Sequence, residues 1–134
     1  MSKSSSLDNG SSQQRKILLI DDEPDICVTY KTILEGAGYQ CIVYTDPVKA
    51  LQEFKANYYD LIVLDVKMPA LNGCEFFKKI REHSTINMFF ITAAKEYFDK
   101  LRKERYPELA DVSFVQKPVT NEELIHIVDK SFAS

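Results

Sequence analysis

Short runs of branched apolar residues recur along the chain, each followed by a segment whose apolar positions fall at helical spacing. The runs are Lys16 to Ile20, Gln40 to Tyr44, Asp60 to Leu64, Asn87 to Ile91 and Val112 to Val115. Continuous runs of this length suit strands buried on both faces of a parallel sheet, although one as short as Leu61 to Leu64 also fits buried helix. Ile26, Tyr30, Ile33 and Ala37 give the first helix an apolar face, with Pro24 in its first turn and Gly36 and Gly38 at its end. Asp46-Pro47 opens a second helix with Ala50, Leu51 and Phe54 inward. Asn72 caps a third that runs to Arg81, with Glu75 at the capping-box position. Tyr97, Phe98 and Leu101 form the apolar face of a fourth, which ends before Pro107. Thr120 to Glu123 is a capping box that opens the last helix, carrying Leu124, Ile127, Val128 and Phe132. Strands alternating with helices imply an α/β fold, a doubly wound parallel sheet with right-handed crossovers.

Composition narrows this picture. Residues 1–14 are nearly all small or polar and cannot bury enough surface to offset ordering entropy, which predicts a disordered polar tail and a folded domain over 15–134. The 134 residues make one domain, 45% hydrophobic and 28% charged, the balance of a soluble globular protein. A net charge of −3 gives no reason to expect a nucleic-acid partner. No apolar run approaches membrane-spanning length and the N-terminus is polar, so neither a membrane partner nor a signal peptide is expected. Cys27, Cys41 and Cys74 show no metal-ligand spacing with each other or with His83 and His126. They are expected to be reduced thiols of a cytoplasmic protein.

The strand ends carry the chemistry. In a parallel sheet all carboxyl ends lie on one edge, where ligands bind. The runs end in Asp21-Asp22, Asp65, Thr92 and Lys117, so these residues should converge on one cleft. Taken alone, Asp65 reads more readily as a surface residue ending an ordinary strand, and Asp22 and Thr92 read as helix caps. Together they are three carboxylates, a hydroxyl and an ammonium. Adjacent carboxylates about 4 Å apart repel by about 4 kcal/mol at an effective dielectric of 20. One lysine cannot neutralise three, whereas Mg²⁺ suits carboxylate oxygens and retained water. The set points to metal-assisted phosphoryl transfer with Asp65 as nucleophile, forming an aspartyl phosphate.

With these residues the chain resembles the receiver domains of two-component response regulators. The resemblance spans residues 15–134 and rests on Asp21-Asp22, the segment Leu64 to Pro69 with Gly73 after it, Thr92-Ala93 and Lys117-Pro118. It implies the flavodoxin-like (βα)5 fold with strand order 2-1-3-4-5. It implies Asp65 as phosphoacceptor, Asp22 and Asp65 as direct Mg²⁺ ligands, the Lys67 backbone carbonyl as another, and Asp21 acting mainly through water. Thr92 and Lys117 would contact the phosphoryl group. Phe114 matches the switch aromatic and, lacking a hydroxyl, would owe its preferred position to packing alone. Lys67 and Ala94, two residues after Asp65 and Thr92, would set the access of hydrolytic water, and their identities predict slow self-dephosphorylation. The departures from the family are local: Asp65 to Thr92 is slightly short, Thr92 to Lys117 is slightly long, and Pro107 to Asp111 replaces the usual glycine-containing turn.

The function expected is that of a single-domain response regulator in a phosphorelay. It would take phosphate from a sensor histidine kinase or a histidine phosphotransfer protein. It would signal to a downstream protein through the face of the fourth helix, fifth strand and fifth helix. Such a chain changes only its own phosphorylation state and is not an enzyme acting on an external substrate. The alternative is a receiver fragment of a longer DNA-binding transcriptional regulator. A haloacid-dehalogenase-type hydrolase is disfavoured, because Asp21-Asp22-Glu23-Pro24-Asp25 departs from that family's Asp-x-Asp-x-Thr/Val pattern.

Overall fold

The computed structural model describes residues 14–133; of the expected 1–14 tail, all but Gln14 lies outside the described residues. Five strands, β1 (Lys16–Ile20), β2 (Gln40–Tyr44), β3 (Leu61–Leu64), β4 (Asn87–Thr92) and β5 (Phe114–Gln116), pair in the order β2-β1-β3-β4-β5. Every pairing is parallel. The intervening helices are α1 (Pro24–Gly36), α2 (Pro47–Glu53), α3 (Gly73–Arg81), α4 (Lys95–Glu104) and α5 (Asn121–Phe132). The parallel sheet is that expected from the alternation, and its strand order is the flavodoxin-like one that the resemblance implies.

Side-chain alternation along the strands divides the core in two. Leu18, Ile20, Ile62, Leu64 and Phe90 face α2, α3 and α4, while Ile17, Leu19, Leu61, Val63, Phe89 and Ile91 face α1 and α5. β3 is paired on both sides and all four of its residues are buried. The strand carrying Asp65 at its end is therefore the most constrained of the sheet.

The helix starts follow their caps. Asp46 accepts from the N–H groups of Val48 and Lys49 at 2.9 and 3.4 Å. Thr120 and Glu123 form a reciprocal capping box. At α3, Asn72 accepts from the Glu75 N–H at 2.9 Å, and the return bond runs from the Asn72 amide to the Glu75 carboxylate at 3.1 Å.

Four local expectations need correction. The buried stripe of α1 is Cys27, Tyr30 and Leu34. Ile26 and Ile33 lie on its flank and Ala37 is exposed, because the helix is rotated to seat Leu34 fully in the core. Tyr97 is exposed; Phe98 and Leu101 alone bury the α4 face, joined by Tyr106 beyond its end. A 3₁₀ turn forms at Pro107–Leu109, where a loop was expected. It delays β5, whose pairing starts at Phe114 rather than Val112, since the Val112 N–H is committed to the Leu109 carbonyl at 3.2 Å.

Candidate functional site

β1, β3 and β4 deliver their terminal residues to one edge. Asp21 continues β1 and its N–H bonds the Tyr44 carbonyl at 3.2 Å, while the Asp65 N–H bonds the Ile20 carbonyl at 3.0 Å. The backbone thus stays strand-like through both carboxylates. Asp21, Asp65 and Thr92 are buried and Asp22 is half-buried. Carboxylate oxygens of Asp21, Asp22 and Asp65 all lie within 4.8 Å of one another.

Lys117 reaches this cluster from the end of β5. Its ammonium is 2.7 Å from Asp21 and 3.2 Å from Asp65, and its side chain is only 8% exposed. Its backbone N–H bonds the Thr92 carbonyl at 3.0 Å. The second oxygen of each carboxylate is held by the backbone: Asp21 accepts from Glu23 N–H at 3.0 Å and Asp65 from Val66 N–H at 2.7 Å. Thr92 is tied nearby, its hydroxyl accepting the Ala94 N–H at 3.1 Å.

The electrostatics are unbalanced. Burial pushes the Asp21 carboxyl above its ordinary value, against the pull of the Lys117 hydrogen bond. Burial also works against the Lys117 charge, but the hydrogen bond to Asp21 and the charges of Asp65 and Asp21 outweigh it and hold the ammonium above the ordinary lysine value. The two directions have different causes, burial for Asp21 and the neighbouring carboxylates for Lys117. A single ammonium is shared between two buried carboxylates, so it is well served while Asp21 is not. With Asp22 counted, three carboxylates face one ammonium. The donor set is all hard oxygen, closely spaced and short of positive charge, and it fits a small dication.

The expected residues Asp21, Asp22, Asp65, Thr92 and Lys117 are therefore together. Lys67 stands at the rim, exposed, with its ammonium 5.6 Å from the centroid of the Tyr97 ring. Phe114 is not among the site residues. It pairs in register with Phe90, two positions before the Thr92 pair, and packs edge-on against Phe98. A hollow of about 570 Å³ lined by Tyr44, Phe54 and Tyr59 lies at the β2 edge and shares no residue with this cluster.

Two participants escaped sequence reasoning. Cys27, whose thiol burial pushes up to about 11, donates to the Asp21 carbonyl at 3.2 Å and braces that backbone. All three cysteines are free and buried. Arg102 lies over the Phe98 and Phe114 rings, so packing alone does not position Phe114. An arginine four residues after an apolar Phe98 was the available signal, but spacing does not say that it folds inward.

Known proteins share this fold. The sequence profile of the response regulator receiver domain matches residues 17–129. The response regulator ArlR of Staphylococcus saprophyticus is 34% identical over 110 residues, covering 82% of this chain and 49% of that protein. The alkaline phosphatase synthesis transcriptional regulatory protein PhoP of Bacillus subtilis is 39% identical over 88 residues, covering 65% of this chain and 37% of that protein. The chain thus spans about half or less of the length of these curated relatives. Among solved structures, the non-phosphorylated HemR receiver domain of Leptospira biflexa superposes with a TM-score of 0.78 at 25% identity, over 90% of this chain and 96% of that one. The response regulator TrrA of Thermotoga maritima, in complex with Mg²⁺ and beryllofluoride, gives 0.72 at 31% identity over 87% of this chain and 98% of that one. With the fold, the strand-end residues and the profile in accord, the chain belongs to the receiver domains of two-component response regulators.

Proposed function

We propose that Asp65 accepts a phosphoryl group and that the chain is a phosphorylation-driven switch. The observation that carries this reading is the Lys117 ammonium 3.2 Å from Asp65 inside a cluster of three carboxylates. Asp22 and Asp65 would hold Mg²⁺ directly, with the Lys67 carbonyl as a further ligand. Asp21, whose ion pair with Lys117 is the shorter of the two at 2.7 Å, would act mainly through water. Bound Mg²⁺ supplies positive charge that offsets the carboxylates and the phosphoryl oxygens.

The phosphodonor is the phosphohistidine of a sensor histidine kinase or histidine phosphotransfer protein. A carboxylate oxygen of Asp65 attacks phosphorus, the phosphorus–nitrogen bond breaks, and the imidazole leaves with its electron pair and takes up a proton. Lys117 pairs with a phosphoryl oxygen, and the Thr92 hydroxyl donates to another. The chain changes its own state and turns over no external substrate. Its downstream protein binds the face of α4, β5 and α5, on which Lys100, Lys103 and Arg105 are exposed.

A second reading, the receiver part of a longer transcriptional regulator, draws on the relatives, which are longer than this chain and include a transcriptional regulatory protein. A nucleic-acid partner belongs to that reading alone. The intact mass of the native protein isolated from its source separates the two. No helix among the described residues is long and apolar enough to cross a membrane. A cytoplasmic site of action belongs to the receiver-domain reading.

The test is incubation with Mg²⁺ and acetyl phosphate. One acid-stable, base-labile phosphoryl group should appear by mass in the wild type and be absent from Asp65→Asn. A normal mass gain in Asp65→Asn overturns the assignment. Asp22→Asn should retain Asp65 as nucleophile but require much more Mg²⁺.

A further inference from the structure

Arg102 is held unlike a surface arginine. Its side chain is 16% exposed and its guanidinium binds Asp99 at 2.6 Å. The other guanidinium nitrogen donates to the carbonyls of Leu109, Ala110 and Val112 at 3.4, 3.3 and 3.4 Å. The guanidinium carbon stands 4.4 Å from the centroid of the Phe98 ring and 5.2 Å from that of Phe114. The two rings meet edge-on, 5.2 Å apart at 81°. Phe98 is fully buried, whereas Phe114 is half-buried and is the ring with room to move.

A planar cation lying over aromatic rings while its edge is hydrogen-bonded is an arrangement arginine makes and lysine does not. Five partners fix this guanidinium, so it does not follow Phe114 if that ring turns. Any movement of Phe114 away from its observed place forfeits the cation–π contact, and Phe offers no hydroxyl to form a compensating hydrogen bond.

We propose that Arg102 is a positioning residue that clamps Phe114, and so sets how readily phosphorylation shifts the face of α4, β5 and α5. This rests on the function proposed for Asp65. A ligand moves a two-state equilibrium only by its differential affinity for the two states. An interaction confined to the starting state therefore weakens the apparent affinity for whatever favours the other. The clamp is a brake built from the 107–112 segment, which departs from the usual family turn and supplies the three carbonyls that hold Arg102.

The experiment is a titration of the full chain with beryllofluoride at saturating Mg²⁺, for wild type, Arg102→Met, Phe114→Leu and the double variant. Arg102→Met should bind about three- to tenfold tighter than wild type. In the Phe114→Leu background the same substitution should change nothing. An equal gain in both backgrounds, or no gain in the first, overturns the clamp, because a brace acting only on the 107–112 segment is indifferent to the Phe114 ring. Arg102→Lys, expected between wild type and Arg102→Met, carries the test if the latter does not fold. Failure of the wild type to bind beryllofluoride at all sinks the phosphoacceptor reading instead. The clamp is then judged on the ion-free protein: Arg102→Met should weaken the nuclear Overhauser contacts between Phe98 and Phe114, and contacts of unchanged strength overturn it.

Discussion

Gly73 lies so close against Asp65 that a Cβ at Gly73 would stand 2.2 Å from the Asp65 carbonyl oxygen and 3.0 Å from the Val66 α-carbon. The Gly73 N–H also donates to the Val66 carbonyl at 2.8 Å. The first turn of α3 is thereby pressed directly onto the backbone that carries the phosphoacceptor. Gly73→Ala must displace one or the other. It should cost about 1–3 kcal/mol of stability in urea unfolding and slow labelling by acetyl phosphate. Gly36→Ala is the control: nothing lies within 4 Å of that site, and the change should be neutral or stabilising by up to about 1 kcal/mol.

The raised Asp21 carboxyl predicts an unusual pH dependence in the metal-free protein. A group whose folded pKa exceeds its unfolded one contributes stability that is complete below the unfolded value and is lost as pH rises through the folded value. For Asp21 that window opens at 3.8 and extends upward to its raised pKa, with burial as the main cause. At neutral pH the ionised Asp21 is therefore a liability. Asp21→Asn should be more stable than wild type in EDTA at neutral pH, with the gap narrowing as pH falls towards 3.8. Millimolar Mg²⁺ should narrow or reverse the gap, because the intact carboxylate set gains more from binding. Urea unfolding across pH, with and without Mg²⁺, measures both effects.

The site was legible before the structure because its residues sit at strand ends, where a buried apolar run stops at a charge and leaves little choice of place. Asp21, Asp65, Thr92 and Lys117 are remote in sequence, yet parallel pairing alone brings them to one edge. Helix faces were less legible. In α1 the sets Ile26, Tyr30, Ile33 and Cys27, Tyr30, Leu34 both satisfy helical spacing, and only packing against the sheet decides between them. Tyr97 was read as core because it is aromatic, but it belongs to the exposed rim beside Lys67. Least legible was the stretch from Arg102 to Val112. Its shape depends on one guanidinium reaching back to three carbonyls, an interaction between polar groups that leaves no periodic trace.

Lys67 and Ala94 bear on the lifetime of the phosphorylated state. Lys67 leans from the loop after β3 towards Tyr97 in the first turn of α4, with its ammonium 5.6 Å from the ring centroid. The resemblance implies that this position limits the access of an in-line water. Ala94 has no side-chain acceptor to orient that water. The wild type should therefore lose phosphate slowly. Ala94→Glu together with Lys67→Asn should speed the loss by roughly 10- to 100-fold, at or below the lower end of what a positioned acid–base group contributes. Decay of the labelled protein, followed by mass after removal of acetyl phosphate, gives the rates; unchanged rates sink the idea.

The Thr92 hydroxyl is committed, in the state described, to the N–H of Ala94 at 3.1 Å. Ala94 is the residue before α4 and offers no side-chain cap of its own, so Thr92 is part of what holds that helix start. A phosphoryl group on Asp65 brings about −2 of charge and new acceptor oxygens. Turning the Thr92 hydroxyl towards them loosens the start of α4 in the same movement. Shifting a two-state element from 1:99 to 99:1 takes about 5.5 kcal/mol, and one charge-assisted hydrogen bond contributes only about 1.5–3 kcal/mol. Phosphorylation alone should therefore shift the α4 region part way, and a bound partner should complete the change. In NMR spectra with Mg²⁺ and beryllofluoride, the largest shifts remote from Asp65 should fall between Thr92 and Val119. Thr92→Ala should suppress them while leaving phosphorylation intact, and Thr92→Ser, which keeps the hydroxyl, should restore them. Remote shifts confined to α1, or unchanged in Thr92→Ala, would instead place the signal on another face.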